Sequence, residues 1–273
     1  MPTLKIGVMT SLSHEPEQEI QKVRDFGLPC CQLGCWDPTR YTDEIAERVR
    51  QACRKSDVAI TTVWAGYSGP AVWNFIDGPC TIGLVPRATR TQRVRELQAA
   101  SDFARKIGAP SITTHVGFLP EWPGDPEFAP TVEAIRQVAL RCKDNGQLFC
   151  FETGQETPIT LLRTIQAVGT DNLAINLDPA NLLLYGKANP VDALDIFGQY
   201  VRGVHAKDGE YPTDGNNLGR EKPLGQGRVN FPVLIPKLKA CGFTGALTIE
   251  REISGPQQIA DIKMAIRLLQ PLC

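Results

Sequence analysis

The chain has 273 residues, 42% of them hydrophobic, and is therefore long enough to bury one large core. Its 29 lysines and arginines stand against 30 acids, which argues against the broad basic surface that nucleic-acid binding requires. No run of about eighteen apolar residues predicts a membrane span, and the first residues lack the pattern of a secretory signal. We expect one cytoplasmic domain over residues 1–273, with neither nucleic acid nor membrane as a partner.

Short apolar runs alternate with amphipathic stretches along the chain, which is typical of β/α units wound on a parallel sheet. Eight rounds can be counted, and about 250 residues is the usual length of a closed eight-stranded barrel. The sequence therefore predicts an α/β fold, a single (β/α)8 TIM barrel. The predicted strands cover residues 4–9, 29–33, 58–64, 111–115, 147–152, 173–177, 201–205 and 246–250.

Helical patterns lie between these strands, and glycines follow several of them, as left-handed helix ends require. The predicted helices cover residues 42–55, 88–107, 130–145, 159–167, 231–241 and 256–269. The glycines at predicted helix ends are Gly27, Gly108, Gly146, Gly169 and Gly242.

Three connections are long and rich in glycine, proline and aromatic residues: residues 66–87, 116–129 and 207–230. Each follows a strand at the face where such barrels place their active sites. We expect them to form the walls of a pocket, although loops without function are the alternative.

Nine cysteines are scattered without paired Cys-x-x-Cys spacing, and an odd number argues against a disulfide framework. The group Cys30, Cys31 and Cys35 admits two interpretations, a thiol site or ordinary packing. Packing is favoured because cysteine is so often buried. We expect all nine cysteines to be reduced.

Four polar side chains stand at the predicted ends of strands five to eight: Glu152, Asp178, His205 and Glu250. Successive strands of a barrel converge at this face. Each residue alone is more often a helix cap or ion-pair partner, but four in consecutive units favour a metal site, because charged groups at strand ends are costly unless they are paired or bound. Three carboxylates and one imidazole suit a hard divalent cation better than the sulfur-rich sites of structural zinc.

At these residues the chain resembles the sugar phosphate isomerase/epimerase family, xylose isomerase-like barrels that include ketose 3-epimerases and inosose dehydratases. The segment His-Ala-Lys-Asp at 205–208, followed by Leu-Gly-Gln-Gly-Arg-Val-Asn-Phe at 224–231, is similar to the family's His-x-Lys-Asp and Gly-x-Gly-x-Val-Asn/Asp-aromatic signature. Two departures bear on the substrate: Gly34-Cys35-Trp36 stands where many members carry a glutamate, and no histidine-bearing turn follows Asp178.

The resemblance implies that Glu152, Asp178, His205 and Glu250 hold one divalent ion, with Mn preferred and Co, Mg, Zn and Fe(II) as alternatives. It implies an isomerase of carbohydrate metabolism, an epimerase or aldose–ketose isomerase, acting on a sugar through a metal-stabilised enediolate. Glu152 and Glu250 would serve as acid and base on two faces of the substrate. It also implies a homodimer or homotetramer.

Six residues are candidates for substrate binding, each with a structural alternative. A histidine after a strand is often structural, an arginine here can cap a helix, and Lys207 and Asp208 can pair with each other. Trp73 and Phe75 are interpreted as hydrophobic anchors of a lid. The six candidates are His115, Glu156, Asn181, Lys207, Arg228 and Trp64, the last as a sugar-stacking plane.

Other functions remain open on the same barrel. A lyase or dehydratase acting on an inosose or keto-glycoside would use the same chemistry and expel a leaving group. A metal- and sugar-binding barrel without turnover is a second alternative. The phosphodiesterase branch of the fold, with a three-zinc cluster rich in histidine, is disfavoured because the chain has only 3 histidines. No phosphate-binding glycine loop or arginine pair is evident, which favours an unphosphorylated substrate.

Overall fold

Eight parallel strands close into a barrel in the computed structural model, which describes residues 3–273. The strands are β1 (Lys5–Ser11), β2 (Cys30–Cys35), β3 (Ala59–Ala65), β4 (Ser111–Thr114), β5 (Leu148–Glu152), β6 (Leu173–Leu177), β7 (Val201–Ala206), β8 (Asp208–Gly209), β9 (Glu221–Lys222) and β10 (Ala246–Ile249). The closed order is β1-β10-β7-β6-β5-β4-β3-β2, and a short antiparallel pair, β8 and β9, lies outside the barrel. The predicted (β/α)8 barrel is confirmed, with each barrel strand within about two residues of its predicted ends.

Helices follow the barrel strands and cover the outside of the sheet. They are α1 (Pro16–Asp25), α2 (Asp43–Ser56), α3 (Gly78–Thr81), α4 (Arg87–Ile107), α5 (Phe128–Asp144), α6 (Pro158–Val168), α7 (Pro179–Leu184), α8 (Pro190–Phe197), α9 (Phe231–Ala240) and α10 (Pro256–Leu269). Short 3-10 turns cover Pro38–Arg40, Gly198–Tyr200 and Gln270–Leu272. The six helices with predicted bounds are present, and α1 is the helix predicted to end at Gly27, whereas α3, α7 and α8 were not predicted.

Local sequence explains the ends of several helices. Thr42 begins α2 by accepting a hydrogen bond from the backbone N–H of Ile45, which satisfies one of the free donors of the first turn. Gly108 and Gly169 end α4 and α6 with φ of 78° and 71°, a left-handed conformation that glycine adopts without strain. The predicted glycine helix ends are confirmed at these positions.

The barrel interior contains polar side chains as well as apolar ones. Gln32, Thr62, Thr113 and Asn176 are all buried, although they lie on four different strands of the barrel. The hydroxyls of Thr62 and Thr113 are 3.0 Å apart and share a hydrogen bond. Because buried polar groups must find partners, this contact between neighbouring strands fixes the orientation of the two hydroxyls.

The connection between β3 and α4 is anchored by one fully buried arginine. Arg93 donates hydrogen bonds to the carbonyl oxygens of Ser68, Pro70, Thr81 and Gly83, at 2.7–3.2 Å. Its guanidinium carbon also lies 4.1 Å from the centre of the Tyr67 ring. This loop, predicted as a pocket wall, is therefore held to the barrel by a buried cation.

No helix within residues 3–273 has both the length and the apolar character needed to cross a membrane. All nine cysteines have free thiols, and Cys30, Cys31 and Cys35 are buried in β2. Burial raises the pKa of the Cys30, Cys31 and Cys35 thiols, so these side chains act as packing residues.

Candidate metal centre

The four predicted ligands converge at one end of the barrel. Glu152, Asp178, His205 and Glu250 each place a potential ligand atom within 4.8 Å of the other three. They end or follow β5, β6, β7 and β10, four consecutive strands of the closed sheet. Because neighbouring parallel strands end at the same edge, residues far apart in the chain form a compact cluster.

The imidazole of His205 turns its Nδ1 atom toward the three carboxylates. Nδ1 lies 3.1 Å from Glu152 Oε1, 3.2 Å from Glu250 Oε2 and 3.7 Å from Asp178 Oδ2. Asp178 Oδ2 and Glu250 Oε2 are buried atoms that accept no hydrogen bond. Buried carboxylate oxygens that accept no hydrogen bond, arranged around one nitrogen, fit a single divalent cation such as Mn²⁺ or Mg²⁺.

The protein's own charges keep two of these carboxylates ionised. Burial opposes the charged form of Glu250, but Lys207 and His205 hold its pKa well below the usual range. Burial likewise disfavours ionised Glu152, yet His115 and His205 lower its pKa. The pKa of His205 is raised well above its ordinary value because Glu250 and Glu152 outweigh the effect of burial. The two carboxylates therefore stabilise positive charge within the cluster, as a bound cation would supply.

Lys207 lies beside the cluster and is fully enclosed. Its ammonium is 2.9 Å from Glu252 Oε1, 3.3 Å from Glu250 Oε2 and 3.5 Å from Asp178 Oδ2. The alternative in which Lys207 pairs with Asp208 is wrong, because its partners are these three acids. Lys207 also donates a hydrogen bond to Asn181 Oδ1 at 3.3 Å.

Asp208 has a structural role that explains the signature motif. Its carboxylate accepts backbone N–H groups from Gly209, Gly225, Gly227 and Val229 at 2.8–3.0 Å. A Cβ atom added at Gly227 would overlap this carboxylate. The aspartate and the glycine-rich segment that follows it therefore form one unit, which closes the loop after β7.

A cavity of about 610 Å³ opens above the cluster. Of the predicted substrate-binding residues, His115, Asn181 and Trp64 line it, as do Glu152 and Glu250. Asn181 donates to Glu152 Oε1 at 3.3 Å, and His115 Nε2 lies 3.5 Å from the same oxygen.

The structure places the other predicted substrate-binding residues differently. Glu156 and Lys207 are buried but do not border this cavity. Arg228 lies outside it, in a separate depression with Phe231 and Leu268. Arg228 therefore does not share the cavity with the other candidates, and its role in substrate binding stays a prediction.

Tryptophans form one wall of the cavity, but not in the predicted arrangement. Trp64 is only 6% exposed, and its indole N–H donates to Glu152 Oε2. Trp36 and Trp73 are 48% and 39% exposed and also line the cavity. The apolar surface open to a substrate is thus mainly that of Trp36 and Trp73, whereas Trp64 orients a carboxylate.

Glu156 is buried, and neither of its carboxylate oxygens has a hydrogen-bond partner. Burial raises its pKa to about 8, so this carboxyl is largely neutral at pH 7. A neutral buried carboxyl can donate a hydrogen bond, which ordinary surface glutamates do not do at this pH.

Glu156→Gln is expected to stabilise the protein at pH 9 and to leave its stability nearly unchanged at pH 4. The folded chain retains a proton up to pH about 8 that the unfolded chain releases near 4.5, so stability falls as pH rises between these values. Removing the carboxyl should recover on the order of a few kcal/mol above pH 8. Denaturant unfolding across this pH range measures the effect, with exposed Glu121→Gln as control. Parallel stability curves for the wild type and Glu156→Gln would contradict it.

Several residues around the site were not predicted. Glu252 contacts Lys207, Tyr185 lines the cavity with an unpartnered hydroxyl, and Gln32 contacts His205. Only Gln32 carried a signal in the sequence, as the one amide in a strand of otherwise apolar and small residues.

The structure is thus a (β/α)8 barrel with a carboxylate–histidine cluster at its strand ends. Comparisons with known proteins agree with this fold. The family model described as xylose isomerase-like TIM barrel matches residues 20–272. The chain belongs to this family.

Two relatives are similar to the chain in sequence. The crystal structure of a xylose isomerase domain protein from Planctomyces limnophilus is 35% identical, covering 99% of this chain and 98% of that one, with a TM-score of 0.94. An uncharacterized protein of Methanocaldococcus jannaschii is 26% identical over 185 residues. That match spans 60% of this chain and 60% of the length of the relative.

More distant solved structures share the fold alone. D-psicose 3-epimerase, crystallised in the presence of D-fructose, is 17% identical over 98% of this chain and 99% of that one, with a TM-score of 0.73. A probable 3-DHS dehydratase from Bacillus anthracis is 18% identical over 96% and 99%, with a TM-score of 0.68. The fold neighbours therefore include both an epimerase and a dehydratase.

Proposed function

We propose that this protein is a divalent-metal-dependent sugar isomerase or epimerase, with Glu152 and Glu250 as its acid and base and Mn²⁺ as its preferred ion. One observation carries the proposal. Of the four clustered side chains, Glu152 and Glu250 border the cavity, whereas Asp178 and His205 lie behind them. The two carboxylates able to reach a substrate also come from β5 and β10, two strands separated by β6 and β7. They therefore approach a bound molecule from different sides.

The surroundings of Glu152 suit a base of fixed orientation. Its Oε2 accepts the indole N–H of Trp64, and its Oε1 accepts the side-chain N–H of Asn181. Glu250 is less enclosed, with a side chain 15% exposed and an Oε2 atom that accepts no hydrogen bond. Glu250 can therefore take a proton from a substrate carbon, and Glu152 can return one on the other face.

Other side chains of the cavity hold and shield the substrate. His115 and Asn181 present polar atoms to it, and the exposed faces of Trp36 and Trp73 exclude water from one side. A divalent cation held by Glu152, Asp178, His205 and Glu250 would polarise a substrate carbonyl and offset the charge of an enediolate. Lys207, which is 3.3 Å from Glu250, keeps that carboxylate ionised, the form that is needed both to hold a cation and to accept a proton.

The experiment that tests this proposal measures the incorporation of solvent deuterium into candidate substrates. The protein is stripped of metal, reloaded with Mn²⁺, Co²⁺, Mg²⁺ or Zn²⁺, and incubated in D₂O with ketoses, keto-glycosides and inososes. Mass spectrometry is expected to show metal-dependent exchange at a carbon beside the carbonyl, with product of otherwise unchanged mass. The metal-free protein is the matched control for background exchange.

Other results would favour another function. Exchange accompanied by loss of water or of an alcohol would identify a lyase, as the dehydratase among the fold neighbours suggests. Stoichiometric metal and sugar binding without exchange across the panel would contradict the isomerase proposal and favour a binding barrel.

A further inference from the structure

The ring of His205 is held on its far side by a chain of two amides. His205 Nε2 lies 2.8 Å from Gln32 Oε1, and Gln32 Nε2 donates to Asn176 Oδ1 at 2.9 Å. All three side chains are buried, with exposed fractions of 0–2%. The pair Gln32 and Asn176 is here called the amide relay. It contacts the ring nitrogen opposite to the one that faces the carboxylates.

The amide relay crosses the barrel. Gln32 lies on β2 and Asn176 on β6, four places apart in a closed ring of eight strands, and therefore on opposite sides of the interior. The strand pairing shifts register immediately before each residue, between Cys31 and Gln32 and between Ile175 and Asn176. Such irregularities re-aim side chains, and both occur where an amide is turned into the interior.

The partner strand leaves room for the relay. Asn176 pairs with Gly203 on β7, and a Cβ atom added at Gly203 would overlap Asn176 Oδ1. This glycine has no positive φ, so its backbone conformation does not require glycine. The space for the Asn176 amide does require it, because any larger residue would displace the oxygen that Gln32 contacts.

We propose that the amide relay selects which nitrogen of His205 binds the metal, a proposal that rests on the metal site of the proposed function. The Gln32 NH₂ group is engaged by Asn176, so the Gln32 oxygen faces the ring and requires an N–H from Nε2. With its proton on Nε2, the imidazole presents the lone pair of Nδ1 to the cation. Gln32 and Asn176 are positioning residues, because they act through His205.

Rotating both amides by half a turn would reverse this assignment. The Gln32 NH₂ group would then face Nε2, the proton would move to Nδ1, and the atom facing the three carboxylates could not bind a metal. The two arrangements therefore predict opposite protonation of the same ring, which spectroscopy can distinguish.

The first test observes the ring directly. Protein with ¹⁵N-labelled histidine is loaded with ¹¹³Cd²⁺, and long-range ¹H–¹⁵N spectra are recorded. We expect His205 to show cadmium coupling at Nδ1 and a bound proton at Nε2. Coupling at Nε2, or a proton on Nδ1, would overturn the proposal whatever the enzyme activity is.

The second test measures Mn²⁺ affinity from the free-ion EPR signal. Gln32→Met, which removes both hydrogen bonds, and Gly203→Ala, which displaces Asn176, are each expected to weaken binding about 10- to 100-fold. Both substitutions disrupt the contact between Gln32 and Asn176. The fold loss of Mn²⁺ affinity in the double variant should therefore be clearly smaller than the product of the two single losses. Thr113→Val removes another interior hydrogen bond, the one to Thr62, and should stay within about threefold of wild type.

If Gln32→Met does not fold, Gln32→Glu, which replaces the amide with a carboxylate, supplies an alternative test. Gln32→Glu keeps an acceptor for Nε2–H, and the free Asn176 Nδ2 can donate to it after rotation. It should bind Mn²⁺ at least as tightly as wild type, and tenfold weaker binding would count against the relay. Wild-type protein that binds no Mn²⁺ would overturn the metal site and the relay together. Normal proton exchange with unchanged affinity in Gln32→Met and Gly203→Ala would overturn the relay alone.

Discussion

Glu250→Gln and Glu152→Gln are each expected to lower metal-dependent C–H exchange about 10²- to 10⁴-fold, even at saturating Mn²⁺. Glutamine keeps the size and one oxygen of glutamate but cannot accept a proton at neutral pH. Both side chains border the cavity, so the loss should fall on proton transfer itself. The rate of deuterium uptake into the best substrate of the panel measures it.

Two controls separate proton transfer from metal binding. Asp178→Asn alters a clustered carboxylate that does not border the cavity, so high Mn²⁺ should restore most of its exchange. Glu121→Gln removes an exposed acid that does not border the cavity and should exchange at nearly the wild-type rate. Exchange in Glu250→Gln that recovers fully with Mn²⁺ would leave Glu250 as a ligand only.

Arg93→Met is expected to destabilise the protein by at least about 3 kcal/mol, the largest loss of stability foreseen here. The substitution removes hydrogen bonds to four loop carbonyls, of which that of Gly83 is buried and would be left without a donor. It also removes the cation that lies over the Tyr67 ring. Denaturant unfolding measures the change in free energy.

The exposed Arg95, two residues along the same helix, supplies a matched control. Arg95→Met should change the free energy of unfolding by less than about 0.5 kcal/mol. Limited proteolysis should also cut residues 66–86 faster in Arg93→Met, because this loop loses its anchor. Equal stability and equal cleavage in the two variants would show that the loop is held by other contacts.

The sequence was informative wherever a pattern repeats locally. Apolar runs separated by helical periods predicted all eight barrel strands, and glycines such as Gly108 and Gly169 marked helix ends because they alone adopt left-handed φ without strain. Helix α7 was missed because all six of its residues are buried, so it has no polar face to produce a helical period.

In the candidate site, too, some features follow from local sequence patterns and others only from the folded structure. The sequence by itself determined the (β/α)8 barrel and the four clustered side chains, because parallel strands end at one face and Glu152, Asp178, His205 and Glu250 lie at the ends of four consecutive strands. Only the tertiary structure decided that Arg228 lies outside the cavity, that Trp64 holds Glu152, and that Gln32 reaches both His205 and Asn176. Contacts across a barrel depend on strand order, register and closure, and no local pattern in the chain encodes which side chains will meet inside it.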